Sequence, residues 1–271
     1  MPQIRRLWAE MCTTDFAGLD TARTVAVLPV SAVEQHGPHL PLSVDACINE
    51  GVLNAALALL GEDDPVLVLP PQTVGKSEEH IRFPGTLTVP ADVLTRHWNE
   101  IGDGVARAGI RKILFFNSHG GNPPVMDIVS RDLRVRHGML AAMANWYDLA
   151  PLADWFGGDE LKNGIRGGEV ETSVMLHLRP DLVDMAEASD FVSAAIAMRD
   201  EFALLSPTGR PSFAWEAQDL NPSGAVGNAA AAEAGRGAAV VDAAANGLAK
   251  LLHALLLADL DTIIRRMCSA R

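Results

Sequence analysis

Glu34, His36, His39 and Asp45, four side chains able to bind a divalent ion or move a proton, fall in one stretch, LPVSAVEQHGPHLPLSVD (residues 28–45). An acidic residue and a histidine at i and i+2 of an extended segment project to the same side, so Glu34 and His36 can converge on one point without a helix. Pro38 and Pro41 restrict the backbone and lower the entropy lost when ligands are fixed. The stretch is written as a pre-organised ion site, but a single Glu-x-His is also common in solvated loops. Partners must come from elsewhere in the chain.

A second stretch, Ile113 to Asn122 (ILFFNSHGGN), runs an apolar strand directly into a polar turn that carries His119. Gly120 and Gly121 let backbone approach an ion or substrate, and Asn117 and Asn122 can fasten the turn through side-chain hydrogen bonds. The alternative is a helix-capping turn with an incidental histidine. In a third stretch, Arg166 to Ser173 (RGGEVETS), Glu169 and Glu171 at i and i+2 of a helix start lie on different faces and should not share a role. Glu169, directly after the glycine pair, is the better ligand candidate. Glu171 suits a hydrogen bond to backbone or to a ligating histidine. Either glutamate would also complement the helix dipole.

The elements that must position these residues alternate. Strands are expected at Val25–Val30, Val66–Leu69, Ile113–Phe116 and Leu140–Ala144, with helices at Ala46–Leu60, Ala91–Ala108, Pro123–Arg136 and Glu169–His177. Strands apolar on both faces and separated by helices imply an α/β fold whose mostly parallel sheet is flanked by helices. The loops carrying Glu34 and His119 both follow strands, so both open onto the carboxyl edge of the sheet, where ligands bind in such folds. Residues 204–222 read as a long irregular loop. Gly227 to Met267 reads as a long Ala- and Leu-rich helix, interrupted or preceded by a loop near Gly235 and Gly237 and suited to scaffold or subunit contact.

At 271 residues the chain fits one large domain, 1–271. A formal charge of −12 without a basic stripe argues against nucleic acid as a partner. No apolar run reaches the ~20 residues that span a bilayer, and residues 1–16 lack a signal-peptide pattern, so no membrane partner and a cytoplasmic location are expected. Cys12, Cys47 and Cys268 are odd in number and far apart, which predicts reduced structural cysteines; any metal would be held by oxygen and nitrogen.

Together the three stretches, with Glu79–Leu87 (EHIRFPGTL) between the first two, resemble the creatininase family of metal-dependent amidohydrolases over roughly Val25 to Gly237. The resemblance implies a single-domain, Rossmann-like three-layer sandwich and a centre of two divalent metal ions per chain. Glu34, His36, Asp45 and His119 would be ligands, with Asp45 bridging. The family's fifth ligand is a glutamate, either two residues after the turn histidine, where this chain has Gly121, or in the later GGExET stretch, which points to Glu169. Such a set suits Zn²⁺, Mn²⁺ or Fe²⁺. Catalytic candidates are Glu171, His80 and Arg166, with Glu79 or His80 as a proton donor to the leaving nitrogen. Gly75, Ser77, Gly121, Tyr147 and Arg166 would line the substrate pocket, with Trp146 as an apolar wall.

Members of the family hydrolyse creatinine, a formamide, or the carboxyl-terminal part of a ribosomally made precursor. The implied reaction is hydrolysis of a C–N amide bond in a small cyclic or linear amide, with a homo-oligomer, a hexamer, as the assembly. The alternatives are a peptidase for a precursor peptide and a silent binding subunit, against which retention of the ligands argues. Gly121 and Arg166 depart from the creatinine-hydrolysing members, the latter replacing a histidine, so creatinine itself is not expected as substrate. Arg166 would grip an anionic group of the substrate, or else pair with Glu171 or another local carboxylate.

Overall fold

The computed structural model describes residues 6–269 other than 203 and 210, and the side chain of Cys268 lies outside what it describes. In chain order the elements are β1 (Val25–Val30), α1 (Val44–Leu57), β2 (Val66–Val68), α2 (Ala91–Arg107), β3 (Lys112–Asn117), α3 (Pro123–His137), β4 (Leu140–Asn145), α4 (Gly158–Asn163), α5 (Glu169–Leu178), β5 (Asp190–Phe191), α6 (Ala194–Glu201), α7 (Ala217–Leu220), β6 (Gly227–Asn228), α8 (Ala234–Leu257) and α9 (Leu260–Ser269). The main sheet is parallel in the order β2-β1-β3-β4, while β5 and β6 form a small antiparallel pair.

Why the strands read as continuous apolar runs follows from the layering. Side chains alternate across a strand, so Val25 and Val27 of β1 and Leu114 and Phe116 of β3 pack against α1, α5 and α8. Ala26, Leu28 and Val30, with Ile113 and Phe115, face α2 and α3 on the other side. Each face buries its own core, which makes a three-layer α/β sandwich. Strand order reverses between β1 and β3, which stay paired to Val30 and Asn117, and the loops leaving their carboxyl ends border a crevice. Buried Asn49 of α1 donates to Val30 O (3.1 Å) and Phe116 O (3.0 Å) at those strand ends, tying helix and strands together.

Of the two arrangements expected near Gly235 and Gly237, a break within the helix or a loop before it, the structure has the second: α8 begins at Ala234, runs through both glycines and stops at Leu257. The reason is packing, since a Cβ on Gly237 would collide with the backbone of Ser173 in α5. The glycine serves as a contact point between helices. By length and mean hydropathy (1.4) α8 resembles a membrane span, but Arg236, Asp242 and Lys250 interrupt it, so it holds no uninterrupted apolar run of bilayer length. Its apolar residues Val240, Ala244, Leu248 and Leu252 are buried in the core shared with α1, α5 and one face of the sheet.

The carboxyl end of α8 is capped from the sheet. Buried Lys112, the first residue of β3, donates through Nζ to Leu255 O (2.9 Å) and Leu256 O (3.1 Å), supplying partners and positive charge to carbonyls that the helix leaves unpaired. Lys112→Met keeps the stem and removes the donors, so it should cost about 1–3 kcal/mol. At about 2–4 °C per kcal/mol for chains approaching this size, a fall of several degrees in Tm is expected. An unchanged melting curve would refute the capping role. At the other end of the chain, residue 7 lies alongside β2. Leu7 bridges Val68 in parallel register, Val68 N–H donates to Arg6 O (2.7 Å), and the Arg6 guanidinium holds Gly61 O (2.6 Å) and Asp64 O (2.8 Å).

Candidate metal centre

The loop after β1 and the turn after β3 converge on the crevice. Glu34 N–H donates to Leu42 O (3.1 Å), closing the first loop, and Gly37 turns it with a φ of 79° that other residues rarely adopt. Asp45 sits in the first turn of α1 and faces back toward Glu34 and His36. The second turn is fastened by its asparagines. Asn117 Nδ2 donates to His119 O (2.7 Å), Asn117 Oδ1 accepts from His119 N–H (3.1 Å), and Asn122 links Asn117, Ser31 O and Lys76 N–H.

Two groups of donors result, sharing Asp45: Glu34, Asp45 and His119 in one, and His36, Asp45 and Glu171 in the other. His119 Nδ1 lies 2.9 Å from Glu34 Oε1 and 3.3 Å from Asp45 Oδ2, while His36 Nε2 lies 3.4 Å from Asp45 Oδ1 and 3.9 Å from Glu171 Oε2. Glu34, His36, Asp45 and His119 are all buried.

The remaining hydrogen bonds show whether these atoms suit a metal. His36 Nδ1 donates to Glu34 O (3.0 Å) and His119 Nε2 donates to Lys76 O (2.7 Å), which leaves the other nitrogen of each ring aimed at carboxylates. Histidine ligands are oriented in this way, with one N–H spent on backbone. Glu34 Oε2 and Asp45 Oδ2 are buried without a hydrogen-bond partner. Burial disfavours a charged His119, but the carboxylates of Glu34 and Asp45 outweigh it and push its pKa up to about 10. The field at that nitrogen calls for a cation. Buried oxygen and imidazole donors fit a borderline-hard divalent ion.

Glu169 is not part of this cluster. Its carboxylate pairs with Arg236 of α8, and its N–H donates to Glu160 Oε1 (2.7 Å), so the expected fifth ligand points away. Glu171, on the next face of the same helix start, lies beside His36 instead and accepts the Gly167 N–H at 2.6 Å. The reason is local: Gly167 has a φ of 58°, and a Cβ there would meet His36 O at 2.7 Å, so the loop passes close under His36 and turns the second glutamate inward. Arg166 is also buried here, with Nη1 contacting Glu34 Oε1 and lying 3.0 Å from His36 Nε2. It is engaged by the cluster itself.

Other candidate residues divide. Tyr147 lines a cavity of about 310 Å³ beside the cluster, together with Trp146, Leu152, Lys162, Arg166 and Glu171. Burial, with Asp148 and Glu171 nearby, pushes the Tyr147 hydroxyl up to about 12. Ser77 is fully buried behind His119, its Oγ 3.5 Å from Nε2, and is not among the residues lining this cavity. A Cβ on Gly121 would strike Lys76 O, His119 and Glu79, so no side chain, and hence no glutamate ligand, fits there. His39, stacked on Phe191 at 5.4 Å and bonded to Thr172 Oγ1 (2.9 Å), stays outside both donor groups. Sequence reasoning missed Lys162 and Glu160. The Glu160 carboxylate accepts backbone N–H groups from Glu169 and Asn228 and so fixes the start of α5, but nothing in its spacing marks it.

His80 is buried between Gln35 and Glu34. Gln35 Oε1 accepts from Gly37 N–H and its Nε2 donates to Gly224 O, so the same Nε2 donates to His80 Nδ1 (2.9 Å) and the His80 proton sits on Nε2, 3.8 Å from Glu34 Oε1. Burial and the Arg166 charge hold its pKa down to about 2. A neutral ring of this kind donates a hydrogen bond but is not a reservoir of an extra proton. Below the unfolded-state pKa near 6.5 the unfolded chain takes up a proton that the folded chain refuses. The stability His80 contributes is thus present above pH ~6.5 and is lost at about 1.4 kcal/mol per pH unit as pH falls toward 2. His80→Gln should flatten the fall of Tm between pH 7 and pH 5; parallel curves for the two proteins would refute the assignment.

The chain matches the family description Creatininase (creatinine amidohydrolase) over residues 9–252. It is 36% identical over 160 residues to the mycofactocin precursor peptide peptidase of Mycobacterium tuberculosis strain H37Rv, a match covering 57% of this chain and 58% of that one. The chain thus spans under two thirds of the length of that relative. It is 30% identical over 197 residues to creatinine amidohydrolase of Pseudomonas putida, covering 66% and 73%. A crystal structure of an assumed creatinine amidohydrolase from Bacteroides fragilis NCTC 9343 superposes with a TM-score of 0.77 at 27% identity, covering 95% of this chain and 99% of that one. Manganese and zinc–zinc forms of creatininase, 24% identical with TM-scores of 0.74 and 0.73, share the fold.

Proposed function

The chain belongs to the creatininase family, and on that premise we propose that it is a metal-dependent hydrolase of a C–N amide bond. The observation that carries this is the pair of donor groups joined through buried Asp45 beyond the carboxyl ends of β1 and β3, with each histidine's other nitrogen spent on backbone. Glu34, Asp45 and His119, with His36 and Glu171 adjoining, would hold divalent metal, Zn²⁺ or Mn²⁺ by analogy with creatininase. When bound, such ions lower the pKa of water and polarise a carbonyl.

The chain's own groups do the rest. Asp45 belongs to both donor groups and sets their spacing. The backbone carbonyls of Glu34 and Lys76 hold the two imidazoles in the tautomers that keep His36 Nε2 and His119 Nδ1 free of hydrogen. Glu171 borders both the cluster and the cavity, so its carboxylate can carry a proton from the attacking water to the leaving nitrogen. His80, buried and outside the cavity lining, keeps its Nε2–H toward Glu34 and so helps to hold that carboxylate in place. Trp146, Tyr147 and Leu152 give the cavity an apolar wall that limits water beside the scissile bond.

A peptide substrate is favoured as the second reading by the 36% identity to a precursor peptide peptidase, and a cavity of about 310 Å³ accepts one or two residues or a small cyclic amide. The chain is read as one catalytic domain working as a homo-oligomer in the cytoplasm. The deciding experiment reconstitutes chelator-treated protein with Zn²⁺ or Mn²⁺ and screens cyclic amides, formamides and short peptides. Turnover that requires added metal supports the reading. A panel untouched under every metal condition, or hydrolysis unaffected by chelator, would overturn it.

A further inference from the structure

The cavity beside the cluster carries four charged side chains, Glu160, Lys162, Arg166 and Glu171, among apolar neighbours such as Trp146 and Leu152. Three of the four are engaged within the protein. Glu160 accepts the N–H groups of Glu169 (2.7 Å) and Asn228 (2.9 Å). Arg166 contacts Glu34 and lies 3.0 Å from His36 Nε2. Glu171 accepts the Gly167 N–H (2.6 Å) and faces His36. Among the described residues Lys162 has neither an ion pair nor a side-chain hydrogen bond. Its backbone is fixed all the same. It lies in the last turn of α4, where Gly164 N–H donates to Glu160 O (2.7 Å), Ile165 N–H donates to Val226 O (2.9 Å), and the neighbouring Asn163 Oδ1 accepts from Arg199. Tyr147 supplies a second free donor: its hydroxyl makes no hydrogen bond among the described residues, and burial beside Asp148 and Glu171 keeps its proton on at working pH.

We propose that Lys162 is a specificity-determining residue which, with the Tyr147 hydroxyl, receives a carboxylate of the substrate, so that the amide hydrolysed is an anionic one with an apolar body. The inference rests on the amidohydrolase reading and names its substrate class. Lys162 is exposed and solvated in the empty cavity, so leaving it unpaired costs the fold little, and its charge is free for a ligand. An ammonium only donates, and a phenol that keeps its proton donates as well, so the pair matches an acceptor-only group. Glu171 repels the same anion, which turns the carboxylate toward Lys162 and leaves the amide to the cluster side. A neutral amide gains nothing from Lys162. Trp146 and Leu152 accommodate the apolar remainder.

The test reads binding rather than turnover. N-acetyl-L-leucine and N-acetyl-L-leucinamide differ by one charge, and each is titrated calorimetrically into the purified protein. The acid is expected to bind about five-fold more tightly than the amide, the upper end for an exposed ion pair, and added NaCl should narrow the gap. Lys162→Met should bring the acid to the level of the amide, and Lys162→Arg should restore the preference. Because Lys162 is exposed, both variants should keep the wild-type circular dichroism melt. Equal affinity for acid and amide in the wild type would overturn the proposal, as would a preference that survives Lys162→Met. Acid binding that vanishes with chelator but is untouched by Lys162→Met would place the carboxylate on metal, overturning the proposal and leaving the metal-centre reading intact. Turnover indifferent to metal would sink the hydrolase reading without moving any of these affinities.

Discussion

Asp45→Asn is expected to leave a folded protein whose bound metal falls below about a tenth of wild type and whose kcat/KM falls at least 100-fold, the upper end of the range for loss of a partner around a metal. Asp45 is the only residue common to both donor groups, with Oδ1 turned toward His36 Nε2 (3.4 Å) and Oδ2 toward His119 Nδ1 (3.3 Å). An amide keeps the volume but presents neutral oxygen to one side and an N–H₂ to the other, so whichever way it lies one ring nitrogen loses its anionic neighbour. The carboxylate is held below its ordinary range because, although burial would raise it, His36 and His119 stabilise the charge. Removing that charge also leaves Arg166 with less to balance it. Elemental analysis and a circular dichroism melt on the same sample separate metal loss from unfolding. Full metal content in a folded Asp45→Asn protein would contradict the bridging assignment.

A second large effect should separate two glutamates that differ by two positions. Glu171→Gln is expected to lower kcat by about 10²–10⁴, the range for removing a proton carrier. Glu169→Gln should leave turnover within a few-fold. The Glu169 carboxylate is committed to Arg236, whose guanidinium also lies 5.5 Å from the centre of the Phe156 ring and links α5 to α8. Its loss should therefore appear in Tm. The partners are partly exposed, which keeps the cost toward about 1 kcal/mol, below that of a fully buried pair. Equal loss of turnover in both variants would remove the distinction, and loss confined to Glu169→Gln would restore that residue as the functional one.

That distinction was the least legible part of the sequence. The spacing of Glu169 and Glu171 correctly implied opposite faces of a helix start, but which face looks at the crevice is decided by the φ of Gly167 and its approach to His36 O, quantities no spacing encodes. By contrast Val25–Val30 was legible to the residue, because a central parallel strand is apolar on both sides and has no other way to be written. The convergence of Glu34, His36, Asp45 and His119 was legible for a related reason: loops that follow parallel strands leave the sheet at one edge. Arg166 stood out as a departure from the family, with two readings open: a grip on a substrate anion or a pair with Glu171 or another local carboxylate. Its contact with Glu34 is of the second kind, where buried carboxylates lie within reach of the guanidinium. Gly235 and Gly237 marked the place where α8 begins but not why glycine is needed there, which is the close approach of Gly237 to the backbone of Ser173.

The short segment lying alongside β2 has a consequence for solubility. Without it, the outer N–H and C=O groups of Val66–Val68 would be bare, and a parallel strand made of valine and leucine is a template on which another chain can add. Arg6 and Leu7 shield that template, and the Arg6 grip on Gly61 O and Asp64 O keeps the shield latched. Trimming the chain through residue 11, or fusing a bulky partner there, would leave the crevice residues untouched while exposing a sticky strand. Lost protein would then be found in aggregates and inclusion bodies rather than in inactive but dispersed enzyme.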